Sequence, residues 1–510
     1  MNIGLAITRS ARRYRDRLAV YDGPRQLTWT ELDRRSNQLA NALLDHHGLG
    51  NGDRVAILLP NRLEVCEALG GVTKAGLVYV GLNFRLAWPE LQAILDNAEP
   101  RLIITDAEHR SLAQQAADHL DIPLVDVDDP GYDDLLVRGA TTAPHTLHTV
   151  RPTDDALIVY TSGTTGTPKG VWFDHQRVIL HAVVAAIEYD ITADTRYLTA
   201  IPHNSSVHIT LVPCVTMGAA IGFTDSRSFD PARWAAAVDT ARATHSYLVP
   251  TQLYRLLDAD PGGLDSLEML GYGAAPMSPD KVAELIDRYG PIFSQLYGMA
   301  EIASIGTMLR RQDHVEALRH APDRLGSAGQ PSYAIDVRVV DPDGHDVRAG
   351  QRGEVIFGAG YVMKGYYRDP ERTAQTLKDG WVHSGDVGVV DDDGFLHIVD
   401  RIKDLIIRGG HNISPTEIEA VIHRHPDVLE VGVIGVPDAE WGERILAVVA
   451  PRPGMTVDQA TLLGWIDQQD LPSIKRPQAV EVVEALPKNA VGKVAKNELR
   501  AARWRGDRRV

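Results

Sequence analysis

Residues 160–170 read Tyr-Thr-Ser-Gly-Thr-Thr-Gly-Thr-Pro-Lys-Gly. From Thr161 onward, ten residues supply three glycines, four threonines, one serine and one lysine. Glycines let backbone N–H groups close on an anion, hydroxyls add donors, and lysine adds a point charge. A polyphosphate needs that combination. The spacing is not that of the common P-loop, which has Gly, four residues, then Gly-Lys-Ser/Thr. Counted from Gly163, Pro168 stands at the second glycine and Gly170 at the hydroxyl. The apolar run 156–159 ahead of the loop is short enough to be a buried strand. A flexible Gly/Thr connection is the plain alternative, and the rest of the chain argues against it.

At 510 residues the chain is too long for one core, so two or more domains are expected. The net charge of −16 argues against nucleic acid or an anionic membrane as the main partner. Cys66 and Cys214 form neither a disulfide framework nor a zinc pattern. They fit a reducing compartment, and a cytoplasmic location is expected. The first residues lack an apolar h-region, and no run approaches about 18 unbroken apolar residues. Neither a signal peptide nor a membrane span is therefore expected. Ten of the 52 basic residues are lysines. Lys169, Lys403 and Lys493 fall inside motif-like segments, where arginine cannot replace a compact, titratable ammonium.

The elements that must hold these residues alternate. Residues 28–45 predict an amphipathic helix opened by Thr28 with Glu31 three later, a capping-box spacing. Strand-like runs at 55–59, 102–105, 246–249 and 267–271 are separated by helical segments such as 232–243 and 280–289. That alternation predicts an α/β domain with mostly parallel sheets. From about 335 short strands at 337–340, 353–357 and 395–399 predict a small β-rich subdomain. The best boundary lies near 400: residues 1–400 make a large N-terminal domain and 401–510 a small α+β C-terminal domain. The latter should hold a helix at 415–424, strands at 431–435, 445–450 and 479–483, and a helix from about 494.

Further motifs follow in order: Gly271-Tyr272-Gly273-Ala274-Ala275-Pro276, Tyr297-Gly298-Met299-Ala300-Glu301, Ser384-Gly385-Asp386, the charged segment 400–404, Gly409-Gly410, and Pro487-Lys488-Asn489-Ala490-Val491-Gly492-Lys493. With the Thr/Gly loop they resemble, over essentially the whole chain, the adenylate-forming superfamily of acyl-CoA synthetases, peptide-synthetase adenylation domains and firefly-type luciferases.

The resemblance implies that a carboxylate attacks the α-phosphorus of ATP, giving an acyl-adenylate and pyrophosphate, and that a thiol then displaces AMP. It implies that Thr161, Ser162, Gly163, Thr164, Thr165, Gly166 and Lys169 hold the β- and γ-phosphates, with Thr165 also placed in catalysis. Glu301 would ligate Mg²⁺, a hard cation that prefers oxygen. Gly273, Ala274 and Ala275 would lie against adenine, with Tyr297 also on the nucleotide. Asp386 would accept from the ribose hydroxyls, and Arg401 would meet ribose or phosphate. A turn aspartate and a surface ion pair are the plain alternatives for those two. Lys493 would be the adenylation lysine, Lys403 the hinge about which the small mobile domain swings, and Gly409 and Gly410 a lining of the tunnel for the thiol arm of CoA. The acid would meet Gly298, Met299 and the polar run holding His203, Asn204, Ser205 and His208.

Two departures bear on the acid. Ala300 stands where the family commonly has threonine, as it does in some aryl-acid adenylating enzymes. The run Ile201-Pro202-His203-Asn204-Ser205-Ser206-Val207-His208 lacks the usual aromatic–His pair at its spacing. It is too polar for a long alkyl chain, because buried polar groups left unpaired cost about 1–3 kcal/mol each. The alternative is that these residues merely cap a helix start. The reading is an ATP- and Mg²⁺-dependent ligase that joins a polar or aromatic carboxylic acid to CoA. Transfer to an acyl carrier protein, diazotisation of an aryl amine with nitrite, and a non-catalytic nucleotide-binding scaffold are the rivals.

Overall fold

The computed structural model describes residues 1–161, 168–224, 227–438, 440–488 and 494–504. The chain divides into two compact units, residues 1–337 with 357–382, and residues 338–356 with 383–510. The expected boundary near 400 lies inside the second unit, at the end of the strand Leu396–Arg401.

The first unit carries two large sheets. In one, the strands Leu18–Asp22, Ala220–Phe223, Arg196–Thr199, His245–Leu248, Met269–Gly273 and Phe293–Tyr297 run parallel to their neighbours, with antiparallel strands at both edges. In the other, Leu124–Asp126, Leu102–Thr105, Arg54–Leu58, Val78–Gly81 and Asp155–Thr161 are parallel, and Lys169–Asp174 and Gly365–Tyr366 continue the sheet antiparallel. Parallel strands need long crossovers, which is why helices separate them along the chain. The first such helix, Trp29–Asp45, starts at the expected capping box: Thr28 Oγ1 accepts from the Glu31 N–H and the Glu31 carboxylate from the Thr28 N–H. It buries Leu32, Leu39, Ala40 and Leu43 in the core. Among the described residues no helix is long and apolar enough to cross a membrane.

In the second unit, segments 338–340, 353–356, 383–390 and 396–401 make up the expected small β-rich part. Beyond it Val428–Asp438 and Gly442–Pro451 form a long antiparallel pair, joined by Ile406–Arg408 and, in parallel, by Ala479–Val482. The helices Pro415–Ile422, Gln459–Asp467 and Lys496–Ala501 complete an α+β domain. Ile406, Ile418, Val433, Ile445, Leu462 and Val480 fill its core. The sequence reading had missed Gln459–Asp467, where Gly464 interrupts the periodicity.

Candidate active site

In open α/β sheets ligands gather outside the carboxyl ends of the parallel strands. Met269–Gly273 is buried throughout and emerges into Ala274, which is exposed and holds a φ of 69°. Gly273 lies opposite Leu296, and a Cβ there would strike the Leu296 carbonyl oxygen. Glycine therefore lets the two strands close up beneath the Ala274-Ala275 turn. The neighbouring strand, Phe293–Tyr297, ends at the same edge and delivers Gly298, Met299 and a 3₁₀ turn, Ala300–Ile302, that buries Glu301. The Tyr297 ring leans on Phe357 at 5.9 Å.

Glu301 is 5% exposed, and its Oε1 accepts from the Tyr366 hydroxyl. Burial, together with this carboxylate, pushes the Tyr366 pKa far above the phenol range, so the hydroxyl stays a donor. Lys169 Nζ lies 5.2 Å above the Tyr366 ring. Lys169 is also the cross-strand partner of Thr161, so antiparallel pairing brings together the two ends of the Thr/Gly loop. Ser162, Gly163, Thr164, Thr165 and Gly166 lie outside the described residues.

Among the described residues no cation pairs with the Glu301 carboxylate. A buried anionic oxygen of this kind fits a hard divalent cation, which would stabilise the carboxylate and offset phosphate charge when bound. The Glu301→Gln variant is expected to need several-fold more Mg²⁺ for half-maximal pyrophosphate release. A magnesium titration superimposable on wild type would remove Glu301 from the ligand set.

The strand Arg196–Thr199 leads at the same edge into the polar run. His203 is fully buried. Its Nε2 donates to the Leu59 carbonyl at 2.9 Å, so Nδ1 accepts from the Tyr79 hydroxyl at 2.8 Å. Burial lowers its pKa to about 4, which keeps the ring neutral. Both nitrogens are used within the protein, so His203 braces the helix start and has no ring nitrogen left for an acid. Ser205 and Ser206 bond back to the Pro202 carbonyl at 3.1 and 3.0 Å. Those three residues therefore brace the turn at the helix start, although no side chain caps it. Asn204 does not: it is 7% exposed, caps nothing, and its Oδ1 has no hydrogen-bond partner. His208 bonds Ser304 through Nε2 at 3.0 Å, while its Nδ1 has no partner.

In the second unit Asp386 and Arg401 are cross-strand neighbours, with Arg401 Nε 3.1 Å from Asp386 Oδ1. The turn before Asp386 is held by Gly385 at a φ of 71°, by Ser384 Oγ donating to the Val355 carbonyl and by the Gly385 N–H donating to Glu354. Lys403 lies in the exposed turn Ile402–Asp404. Arg500 donates to its carbonyl at 3.0 Å and pairs with Asp404. Gly409 and Gly410 have φ of 56° and 80°, and the Gly409 N–H donates to the Trp441 carbonyl. Lys493 lies outside the described residues.

Sequence profiles decide the family. That of the AMP-binding enzymes matches residues 7–367, and that of the AMP-binding enzyme C-terminal domain matches 417–493. The chain belongs to the AMP-binding enzyme family. This adenylate-forming enzyme is 39% identical over 490 residues to a feruloyl-CoA synthase of an Amycolatopsis species, with 94% of this chain and 95% of that one covered. It is 32% identical over 524 residues to a medium/long-chain-fatty-acid–CoA ligase of Mycobacterium tuberculosis, covering 99% and 90%. Its structure resembles that of ATP-bound MatB from Rhodopseudomonas palustris, with a TM-score of 0.88 and 30% identity over 98% and 99% of the two chains.

A side chain at the site of this AMP-binding enzyme escaped the sequence reading. Tyr366, the partner of Glu301, stands 65 positions further on, and no motif spacing connects them.

Proposed function

We propose that this AMP-binding enzyme is an ATP- and Mg²⁺-dependent ligase that joins an aromatic carboxylic acid to CoA. The observation that carries the choice of acid is the pair of buried, unpartnered polar atoms on one helical segment, Asn204 Oδ1 and His208 Nδ1. An alkyl chain would leave both unsatisfied, at about 1–3 kcal/mol each. The feruloyl-CoA synthase relative, more similar than the fatty-acid ligase, supports the same class.

In the first half-reaction a carboxylate oxygen bonds to the α-phosphorus and the bond to the bridging oxygen of pyrophosphate breaks. Both reactants are anionic, so the site must bring positive charge and N–H groups to them. Lys169 and the Thr161 loop would hold the phosphates, Gly273, Ala274 and Ala275 would face adenine, Asp386 and Arg401 would take the ribose, and Lys493 would meet the charge developing at the α-phosphate. In the second half-reaction a thiolate attacks the acyl carbon and AMP leaves with the bonding pair. Gly409 and Gly410, which have no side chains, would line the path of the thiol.

The test is pyrophosphate release across aryl, alkyl and amino-aryl acids, with and without CoA and with nitrite. The expected result is release with an aryl acid and CoA-dependent formation of AMP. Absence of release with every acid overturns the ligase reading. Release without any response to CoA moves the acceptor to a carrier-protein thiol.

If Lys403 is the hinge between the two half-reactions, Lys403→Pro should slow thioester formation at least about 10-fold more than adenylation, because proline fixes φ where a large backbone change is needed. Equal losses in both steps would remove the hinge role.

A further inference from the structure

The chain is bonded on both sides of Lys403, and the two sides differ. Downstream, Arg500 Nη1 donates to the Lys403 carbonyl at 3.0 Å while Nη2 pairs with the Asp404 carboxylate. Only 14% of either side chain of that pair is exposed. Burial opposes ionisation of Asp404, yet Arg500 holds its carboxyl below the usual carboxylate range. Upstream, Asp400 Oδ2 accepts from Ser414 Oγ at 2.7 Å and from the Thr416 N–H at 3.0 Å, at the start of the helix Pro415–Ile422.

Arg500 is carried by the helix Lys496–Ala501, which begins just past Lys493. That helix has its own anchors. Leu499 is buried with Ile434, Val436 and Leu446, Trp504 Nε1 donates to the Gly435 carbonyl at 2.9 Å, and Lys496 Nζ lies 2.8 Å from Glu419 Oε1. Lys496 and Arg500, four residues apart, share one face of the helix. The flanks of the segment that holds Lys493 are also joined: Lys488 bridges to Val494, and the Ala495 N–H donates to the Pro487 carbonyl at 2.8 Å.

We propose that Arg500 is a positioning residue that pins the peptide group between Lys403 and Asp404 to the body carrying Lys493, and so confines the swing between half-reactions to the two backbone torsions of Lys403. Rotation about a torsion leaves contacts on its downstream side unchanged and breaks those that straddle it. The Lys403 carbonyl, Asp404 and Arg500 all lie downstream of both torsions. Asp400 lies upstream and its partners lie downstream. The swing must therefore release Asp400 from Ser414 and Thr416, while the Arg500 contacts travel with the body. A guanidinium suits the task because its rigid fork holds a carbonyl and a carboxylate together, which a single ammonium does not. This assignment rests on the hinge reading of Lys403 above and adds the residue that makes the hinge sharp.

The experiment measures both half-reactions in Lys403→Pro with and without Arg500→Ala. In Lys403→Pro one torsion is fixed and the next peptide stays pinned, so thioester formation falls behind adenylation. Adding Arg500→Ala frees the torsions of Asp404 and Leu405 and should narrow that gap by about 3-fold or more, a coupling of the size found between contacting residues. A gap that stays the same or widens overturns the pin, because losing a residue that merely stabilises the fold cannot restore a step. Equal losses of both steps in Lys403→Pro overturn the hinge and the pin together. Arg500→Ala leaves Asp404 without its partner. Should it fail to fold, Arg500→Ala is combined with Asp404→Ala, which removes both charges, and the same outcomes decide. A second measurement needs no hinge variant. Arg500 holds the carbonyl of the Lys403–Asp404 bond, so trypsin cleavage at that bond, followed by mass spectrometry, should be several-fold faster in Arg500→Ala than in wild type. An unchanged cleavage rate overturns the pin whatever the fate of the hinge.

Discussion

Lys493→Ala is expected to lower acid-dependent pyrophosphate release on the order of 10²-fold or more. The same variant, supplied with preformed acyl-adenylate and CoA, should make thioester at close to the wild-type rate. The expectation follows from the place of Lys493 in a Pro-Lys-Asn-Ala-Val-Gly-Lys segment that resembles the adenylation-lysine motif of the family. Removing one charge-stabilising donor from a phosphoryl-transfer site raises the barrier by a few kcal/mol, and it does so only for the step in which that charge develops. Measuring the two half-reactions separately decides the matter. Unchanged pyrophosphate release excludes Lys493 from adenylation, and an equal loss in both steps points to a folding defect.

Gly298→Ala should have the next largest effect. A Cβ at Gly298 would fall on the Ser304 carbonyl oxygen, with the Ser304 carbonyl carbon and the Gly306 nitrogen close behind. All three neighbours are backbone, so no side chain can swing aside and the loop itself must move. Overpacking of this kind costs about 1–3 kcal/mol. The moving loop carries Glu301, whose backbone carbonyl also accepts from the Met363 N–H at 2.8 Å. A displacement of about 1 Å at such a position can cost on the order of 10²-fold in rate. A melting temperature lowered by several degrees and adenylation reduced by about 10- to 100-fold are therefore expected. Wild-type values of both would show that the loop accommodates the methyl group elsewhere.

Much of the architecture rests on local chemistry and was legible for that reason. The capping box at Thr28 and Glu31 involves residues three apart, and the helix it opens runs as expected. The apolar runs at 55–59, 102–105 and 246–249 became strands because each is short, rich in branched residues and flanked by polar or glycine-containing breaks. The Thr/Gly loop, the Gly-Ala-Ala turn and the Gly-Met-Ala-Glu turn are likewise contiguous, so the composition of the first and the family resemblance of all three could be read within a few neighbouring positions.

Residues 203–208 show where local reasoning stops. His203 and Asn204 are adjacent and both polar, and nothing between positions 199 and 210 separates their roles. Tyr79, Leu59 and Asn61, more than 120 positions away, occupy the ring and backbone of His203 and make it a brace. Asn204, turned by about 100° around the same helix, meets no such partner. The pairing of Thr161 with Lys169, of Asp386 with Arg401 and of Glu301 with Tyr366 was set in the same way, by strand register and packing between distant segments. Sequence by itself determined the family, the order of elements and the residue types available for chemistry, because these are written within a few neighbouring positions. Tertiary structure alone decided which buried polar groups are satisfied and which are left without a partner, because a hydrogen bond in the core depends on whichever segment packs opposite.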